Sequence, residues 1–147
     1  MVNLFDPTWD AEVGEPEAKL RAVRLARPAG ASRLAANLYE LEPGAIVSPL
    51  HFHHANEELL FVISGTPTLR RGGGDERQLE PGEIIAFPPG PEGVHQILNR
   101  SLATARILIC ATNDLPEVAE QTETKTVAVI THNGLRLLED QPHITAP

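Results

Sequence analysis

Two histidines spaced two residues apart, His51 and His53, are the feature that most constrains what this chain can fold into. On a β-strand, such a pair points to one face of the sheet. A carboxylate, Glu58, follows with four residues between it and His53, at the head of the apolar run 59–63. Nitrogen and oxygen donors together suit a first-row divalent metal, whereas calcium and magnesium prefer oxygen alone. The pattern therefore predicts a transition-metal site carried by strands.

A third histidine, His95, lies in a second patterned stretch that runs from Gly82 to Asn99. Three histidines and one glutamate would leave open positions on an octahedral ion, which a reactive site needs. Glu57 takes the place of Glu58 as the ligand if the intervening loop is one residue shorter. His54 breaks the strand alternation, so we interpret it as a surface group or a supporting group beside the site.

Both stretches resemble the sequence motifs of the cupin superfamily, in particular its small, single-domain, metal-binding members of the conserved-barrel type. The motif positions are Gly44, His51, His53, Glu58 and Gly65 in the first stretch, and Gly82, Pro88, Gly90, His95 and Asn99 in the second. Six residues rather than five separate Gly44 from His51, and four rather than two separate Gly90 from His95. Both departures fall in turns, so they affect the shape of the loops more than the identity of the ligands.

The resemblance implies an all-β, single-domain antiparallel β-barrel of the jelly-roll type, also called a double-stranded β-helix. It further implies one divalent transition metal ion inside the barrel, held by His51, His53, Glu58 and His95. The sequence leaves iron, manganese, nickel and zinc open. The ligand set resembles that of metal-dependent cupin dioxygenases, where Glu58 could also serve as a catalytic base if it left the metal.

Composition agrees with one ordinary domain built from short strands. The chain has 147 residues, 13 prolines and only 4% aromatic residues, which fits strands joined by turns better than helices. A net charge of −8 disfavours binding to nucleic acid or to an anionic membrane. The single cysteine excludes an intramolecular disulfide, and the first residues lack the pattern of a signal peptide. We therefore expect a cytoplasmic protein with no nucleic-acid or membrane partner.

The pattern along the chain predicts an N-terminal arm at 1–19, a barrel domain at 20–140 and a tail at 141–147. Leu4, Phe5 and Trp9 are the apolar anchors of the arm. Strands are predicted near 20–26, 34–41, 45–53, 58–63, 66–71, 77–79, 83–87, 94–99, 103–111, 125–131 and 135–138. The segment 112–124 is interpreted as a polar connection with a short helix at 115–120.

Strand parity leads to a hypothesis about assembly. If Glu58 faces inward, Leu59, Phe61 and Ile63 face outward and give this strand two apolar faces. Ile107 and Ile109 join that outer surface if Arg106 and Leu108 share the other face. Such a patch predicts a homodimer, and coverage by the chain's own arm is the competing account. Arg106 is most simply explained by an ion pair with a neighbouring strand or subunit.

Three function classes follow. The first is a metalloenzyme that acts on a small organic molecule inside a largely aliphatic cavity, as an oxygenase or an isomerase. The second is a non-catalytic barrel that binds a small molecule such as a sugar or an acid. The third is a barrel whose metal is mainly structural. Glu58 is the candidate catalytic residue of the first class.

Overall fold

The computed structural model describes residues 2–14 and 19–139, and the regular elements of these ranges are strands and two short 3-10 turns. The strands are β1 (Ala11–Val13), β2 (Leu20–Arg24), β3 (Leu34–Leu41), β4 (His51–His53), β5 (Glu58–Ser64), β6 (Thr68–Arg70), β7 (Glu76–Gln78), β8 (Ile84–Phe87), β9 (Gln96–Leu98), β10 (Ala105–Thr112), β11 (Glu117–Gln121), β12 (Thr126–Thr131) and β13 (Gly134–Glu139). The 3-10 turns are Gly72–Gly74, inside the β6–β7 hairpin, and Pro91–Gly93.

The strands form three antiparallel sheets. Their orders are β1-β2-β3-β10-β5-β8, β13-β12-β11-β4 and β7-β6-β9. The predicted all-β antiparallel architecture of the jelly-roll type is confirmed. In the described ranges these sheets do not form one continuous closed barrel, although an isolated backbone bridge links His51 of β4 with His95.

The core lies on the inner face of the six-stranded sheet, where β10 is paired with both β3 and β5. Ile107 and Ile109 lie there beside Leu60 and Val62, all four nearly inaccessible to solvent. The prediction that Ile107 and Ile109 face outward is therefore wrong. Leu108, between them, points to the other face instead. Parity was ambiguous because both faces of β10 are largely apolar.

The chain's own arm covers part of the outer face of the same sheet. Val2, Leu4 and Trp9 pack against a second apolar cluster that contains Val23, Leu25, Leu38 and Leu108. Strand β1 continues the arm by pairing with β2. Phe5, predicted to be an anchor, is 75% exposed instead. The arm accordingly accounts for part of the apolar surface that motivated the homodimer, which stays a prediction.

On the outer face of β5, Phe61 and Ile63 are half-buried and Leu59 is 37% exposed. The structure thus leaves the second face of this strand partly open to water. The alternation itself is as predicted, since Leu60 and Val62 face the core.

The segment 112–124 is not the predicted polar connection with a helix. Residues Glu117–Gln121 form strand β11, which pairs with β4 on one side and β12 on the other. The pattern misled because a glutamate occupies an inward position of this strand, where an apolar residue is usual. Within the described ranges, no helix has the length and apolar character needed to cross a membrane. The predicted tail, 141–147, lies outside the described residues.

Candidate metal centre

Strand β4 sets the direction of the first two candidate ligands. His51 and His53 lie on the face toward the interior of the roll, and Phe52 between them points away, as parity predicts. Phe52 is nonetheless buried, and together with the glycine turn of the β6–β7 hairpin it lines a second cavity. The backbone of His51 bridges that of His95 through two hydrogen bonds: His51 N donates over 3.1 Å and His95 N donates over 2.9 Å. This bridge brings the two sequence motifs together.

The turn before His95 absorbs the two extra residues of the second motif. Pro91–Gly93 form a 3-10 turn, entered through Gly90 at a φ of 90°. At Gly93, a Cβ atom would lie 1.9 Å from the carbonyl oxygen of Pro88, so only glycine fits. The carbonyl of Gly93 lies 2.9 Å from Nδ1 of His95. The insertion changes the loop and, at the same time, supplies the group that orients this histidine.

The side-chain donors of the four candidate ligands converge. Nε2 of His51 lies 3.2 Å from Nε2 of His53. Oε2 of Glu58 lies 3.6 Å from Nε2 of His53 and 3.2 Å from Nε2 of His95. One ligand atom from each of His51, His53 and Glu58 falls within 4.8 Å of the others, a set that could hold an ion. His95 adjoins this set through Glu58, and its ring stacks on Phe87 with centroids 3.8 Å apart.

Two observations test whether a cation fits these residues. Nδ1 of His51 lies 2.9 Å from the carbonyl oxygen of Pro49, which can only accept, so Nδ1 carries the proton and Nε2 is a free lone pair. The same argument applies to His95 and Gly93. Oε2 of Glu58 is buried and has no hydrogen-bond partner of suitable geometry. Clustered lone pairs and an unpartnered carboxylate oxygen are costly to bury, and a divalent cation would satisfy them together.

The electrostatics of the cluster follow from burial and mutual proximity. Burial, with smaller contributions from positive charge on His95 and His53, lowers the pKa of His51 to about 4. Burial raises the pKa of Glu58, but the surrounding imidazoles outweigh it, so that this pKa lies below its ordinary value. At neutral pH the site therefore presents a neutral His51 and an ionised Glu58, the states in which both groups bind a metal.

The other polar candidates lie elsewhere. Glu57 is exposed, and its backbone N–H donates to Thr112, so Glu58 is the glutamate beside the histidines. His54 is exposed and pairs with Glu120 at 2.7 Å. The side-chain amide of Asn99 donates to the carbonyls of Leu41 and Ala103. His132 is exposed, and His143 lies outside the described residues.

Comparison with known proteins places the chain in a family. A sequence profile described as a cupin domain matches residues 37–110, half of the chain. This chain is a member of the cupin family. No curated protein sequence matches this cupin.

Three solved structures illustrate what the cupin is similar to. A sugar phosphate isomerase of the cupin superfamily from Silicibacter pomeroyi is 25% identical, with 99% of this chain and 96% of that chain covered and a TM-score of 0.84. A putative sugar phosphate isomerase from Acidithiobacillus ferrooxidans is 23% identical over 90% of this chain and 85% of that chain, with a TM-score of 0.77. The polyketide cyclase RemF from Streptomyces resistomycificus is 30% identical over 80% of this chain and 82% of that chain, with a TM-score of 0.62.

The candidate ligands of this cupin line a cavity of about 330 Å³. Its remaining wall is mainly aliphatic, formed by Val47, Pro49, Ile97, Ile109, Ala119, Ala128, Ile130 and Leu135, with Asn37, Tyr39, Ser48 and Gln121 as polar members. None of the described residues that line it is a lysine or an arginine. Burial, aided by the charge of Glu58, raises the pKa of Tyr39 to about 12. Tyr39 therefore stays protonated at neutral pH and offers a hydroxyl donor to this mainly aliphatic wall.

Sequence reasoning missed two residues of this region. Tyr39 alternates with Leu38 and Glu40 on β3, and its strand was predicted, but no motif marked its inward side. Glu117 is 1% exposed and lies 3.7 Å from Nδ1 of His53. A glutamate in a polar stretch is ordinarily a surface group, so only the pairing of β11 with β4 reveals it.

Proposed function

We propose that this cupin is a metal-dependent enzyme that transfers a proton next to a carbonyl group of a small, largely apolar molecule, as an isomerase or a cyclase does. One observation carries the proposal: three imidazoles and a carboxylate with a buried, unpartnered oxygen converge on the wall of an aliphatic cavity. The similar structures support the reaction class. Isomerisation of a sugar phosphate and cyclisation of a polyketide are both reactions of carbonyl compounds.

His51, His53, Glu58 and His95 would hold the ion. A mixed nitrogen and oxygen donor set suits iron, manganese, nickel or zinc. When bound, such an ion supplies Lewis-acid polarisation of a substrate oxygen.

Within this proposal, Glu58 becomes the proton acceptor when it leaves the ion. Its lowered pKa keeps it ionised at neutral pH, and it lies at the cavity wall where a substrate C–H can reach it. Tyr39 remains protonated because burial raises its pKa, so it donates a hydrogen bond to the substrate oxygen as negative charge develops there. The aliphatic wall excludes water, which strengthens both interactions.

The cavity also restricts the substrate class. A phosphate group is normally bound by arginine, lysine or a helix N-terminus. Neither lysine nor arginine is among the described residues that line the cavity, and the net charge of the chain is −8. The proposed substrate is therefore an uncharged carbonyl compound rather than a sugar phosphate. A volume of about 330 Å³ is near the lower end for ligand sites, which calls for a compact molecule.

The test is exchange of deuterium from solvent into a panel of compact ketones, diketones and aldehydes, followed by NMR with metal-loaded protein. We expect exchange that disappears on chelation and falls about 100-fold in Glu58→Gln per bound metal. Tyr39→Phe should lower the rate about 10-fold with the metal content unchanged. Glu57→Gln, which removes the same charge from the adjacent exposed residue, is the matched control and should keep the wild-type rate.

Other outcomes would replace the proposal. Oxygen uptake by the iron form, without exchange, favours the oxygenase. Compound binding without exchange or oxygen uptake favours a non-catalytic binding protein. Tight metal retention with no ligand binding favours a structural ion.

A further inference from the structure

The three histidines of the site differ in what holds their second ring nitrogen. Backbone carbonyls of Pro49 and Gly93 fix Nδ1 of His51 and His95, each at 2.9 Å. Nδ1 of His53 is buried and has no hydrogen-bond partner. A metal-binding histidine generally needs a group there, because the bond at one nitrogen fixes the ring and the tautomer for the other.

A carboxylate occupies the corresponding place at His53. Oε1 of Glu117 lies 3.7 Å from Nδ1 of His53. Glu117 is 1% exposed, and it reaches this position because β11 pairs with β4 at Ala119 and His53. Among the described residues, no lysine or arginine forms an ion pair with it.

The contacts of Glu117 hold its side chain in place. The backbone N–H groups of His54 and Ala55 donate to Oε1 over 3.0 and 3.4 Å. The side-chain amide of Asn56 donates to Oε2. These bonds anchor the carboxylate beside the histidine. The two backbone bonds to Oε1 could also be made to the oxygen of a glutamine, but a glutamine would then turn its NH2 group toward the amide of Asn56. None of the three bonds gives Nδ1 of His53 a partner.

We propose that Glu117 is the positioning residue of His53: it accepts the Nδ1–H proton and thereby presents Nε2 to the metal. The inference rests on the proposed metal site. The present separation exceeds a hydrogen bond, and a closure of roughly 0.8 Å brings it to the length of a charge-assisted one. Acceptance by a carboxylate rather than a carbonyl also makes the histidine a stronger donor to the ion.

Glu120 provides a matched control on the same strand. It lies on the other face of β11, is half-exposed, and bonds to Nε2 of His54. Replacing either glutamate by glutamine removes one negative charge within a few residues of the site. Only Glu117 faces His53.

The test is competition between the protein and a chromophoric chelator for Zn²⁺, with wild type, Glu117→Gln and Glu120→Gln. Glu117→Gln should weaken zinc binding by about 10-fold or more, and Glu120→Gln should stay within about 2-fold of wild type. Equal affinity of the two variants would overturn the inference.

A second readout is independent of metal and of the variant's ability to fold. ¹⁵N NMR of the His53 ring in the metal-free wild type should show the proton on Nδ1. A proton on Nε2 would contradict the inference even if the affinities differ. If wild type binds no zinc, the proposed metal site fails, and the tautomer of His53 alone decides the role of Glu117.

Discussion

Two buried glutamates of the six-stranded sheet, Glu40 and Glu58, differ in how their charge is balanced. Their side chains are 9% and 14% exposed. Glu40 forms ion pairs with Arg21 and Arg106 on the two flanking strands. Glu58 is surrounded by imidazoles, and its Oε2 lacks a hydrogen bond. The charge of Glu40 is balanced by two arginines of the chain, whereas no lysine or arginine among the described residues pairs with Glu58, the carboxylate that the proposed ion would balance.

The N-terminal arm packs against the region around Glu40, where arginines of the chain balance the carboxylate. The ring of Trp9 lies over both guanidinium groups, 5.2 Å from Arg21 and 5.6 Å from Arg106. The ion pair predicted for Arg106 is therefore present, within one chain. The ion pairs of Glu40, the ring of Trp9 and the arm therefore form one structural unit. None of its residues belongs to the candidate metal site.

The largest expected effect is on the free energy of unfolding when Glu40, the glutamate paired with two arginines, is replaced. Glu40→Gln leaves two guanidinium groups without their carboxylate, and we expect the free energy of unfolding to fall by about 3 kcal/mol. Urea denaturation measures it. Glu80→Gln, an exposed turn residue with the same charge change, should lie within about 0.5 kcal/mol of wild type. A loss below about 1 kcal/mol in Glu40→Gln would remove the distinction between the two glutamates.

The second effect concerns Glu58, the other glutamate of the comparison. Metal at about 100 times its dissociation constant should stabilise the wild type by at most about 2.7 kcal/mol, the value that holds when the unfolded chain binds none. Glu58→Gln should lose most of this gain, and it should destabilise the metal-free protein less than Glu40→Gln does, because no arginine depends on Glu58. His53→Ala should cut the metal content about 10-fold, and Glu57→Gln should not. Wild-type metal content in purified His53→Ala would exclude the site.

The third effect is the pH dependence of the metal-free protein. The pKa of His51 is lowered to about 4, so between the ordinary histidine value and pH 4 the unfolded chain binds a proton that the folded chain does not. Stability should therefore decrease on acidification, by at most about 1.4 kcal/mol per pH unit for this group. The lowered pKa of Glu58 acts in the same direction, since its contribution is lost as pH falls through the folded value.

Denaturation midpoints across this acidic range measure the slope, and His51→Gln should flatten it. An unchanged slope in that variant would mean that another group governs acid stability. Metal binding should weaken at the acidic end of this range, near pH 4, where His51 of the folded chain takes up its proton and can no longer act as a ligand.

The smallest effect concerns the arm. Trp9→Ala removes two cation–π contacts, and we expect a loss of about 1 kcal/mol. Phe5→Ala, at the exposed neighbouring anchor, is the control and should be near neutral. Light scattering then separates the two accounts of the outer face: a mass near 15.9 kDa means coverage by the arm alone, and twice that mass confirms the predicted homodimer.

The sequence allowed the fold to be predicted wherever alternation was unambiguous. In the run from His51 to His53, polar and apolar residues alternate, and the structure follows them. On β10 apolar residues occur on both faces, so the pattern left the direction of Ile107 and Ile109 undetermined, and the expectation was wrong. Strand β11 was missed because Glu117 is buried against its normal tendency. Only the three-dimensional structure shows that this carboxylate is buried and which groups surround it.

The separation of the candidate ligands along the chain has a kinetic consequence. His51, His53 and Glu58 fall within the segment 51–58, whereas His95 arrives through a distant bridge between backbones. The local three can contact an ion before the sheets form, so part of any binding energy is shared by the unfolded chain and does not stabilise the fold. The complete set of four ligands forms only after the long-range pairings of β10 and β11 have closed, and such closures are slow. Metal should consequently slow unfolding far more than it accelerates folding.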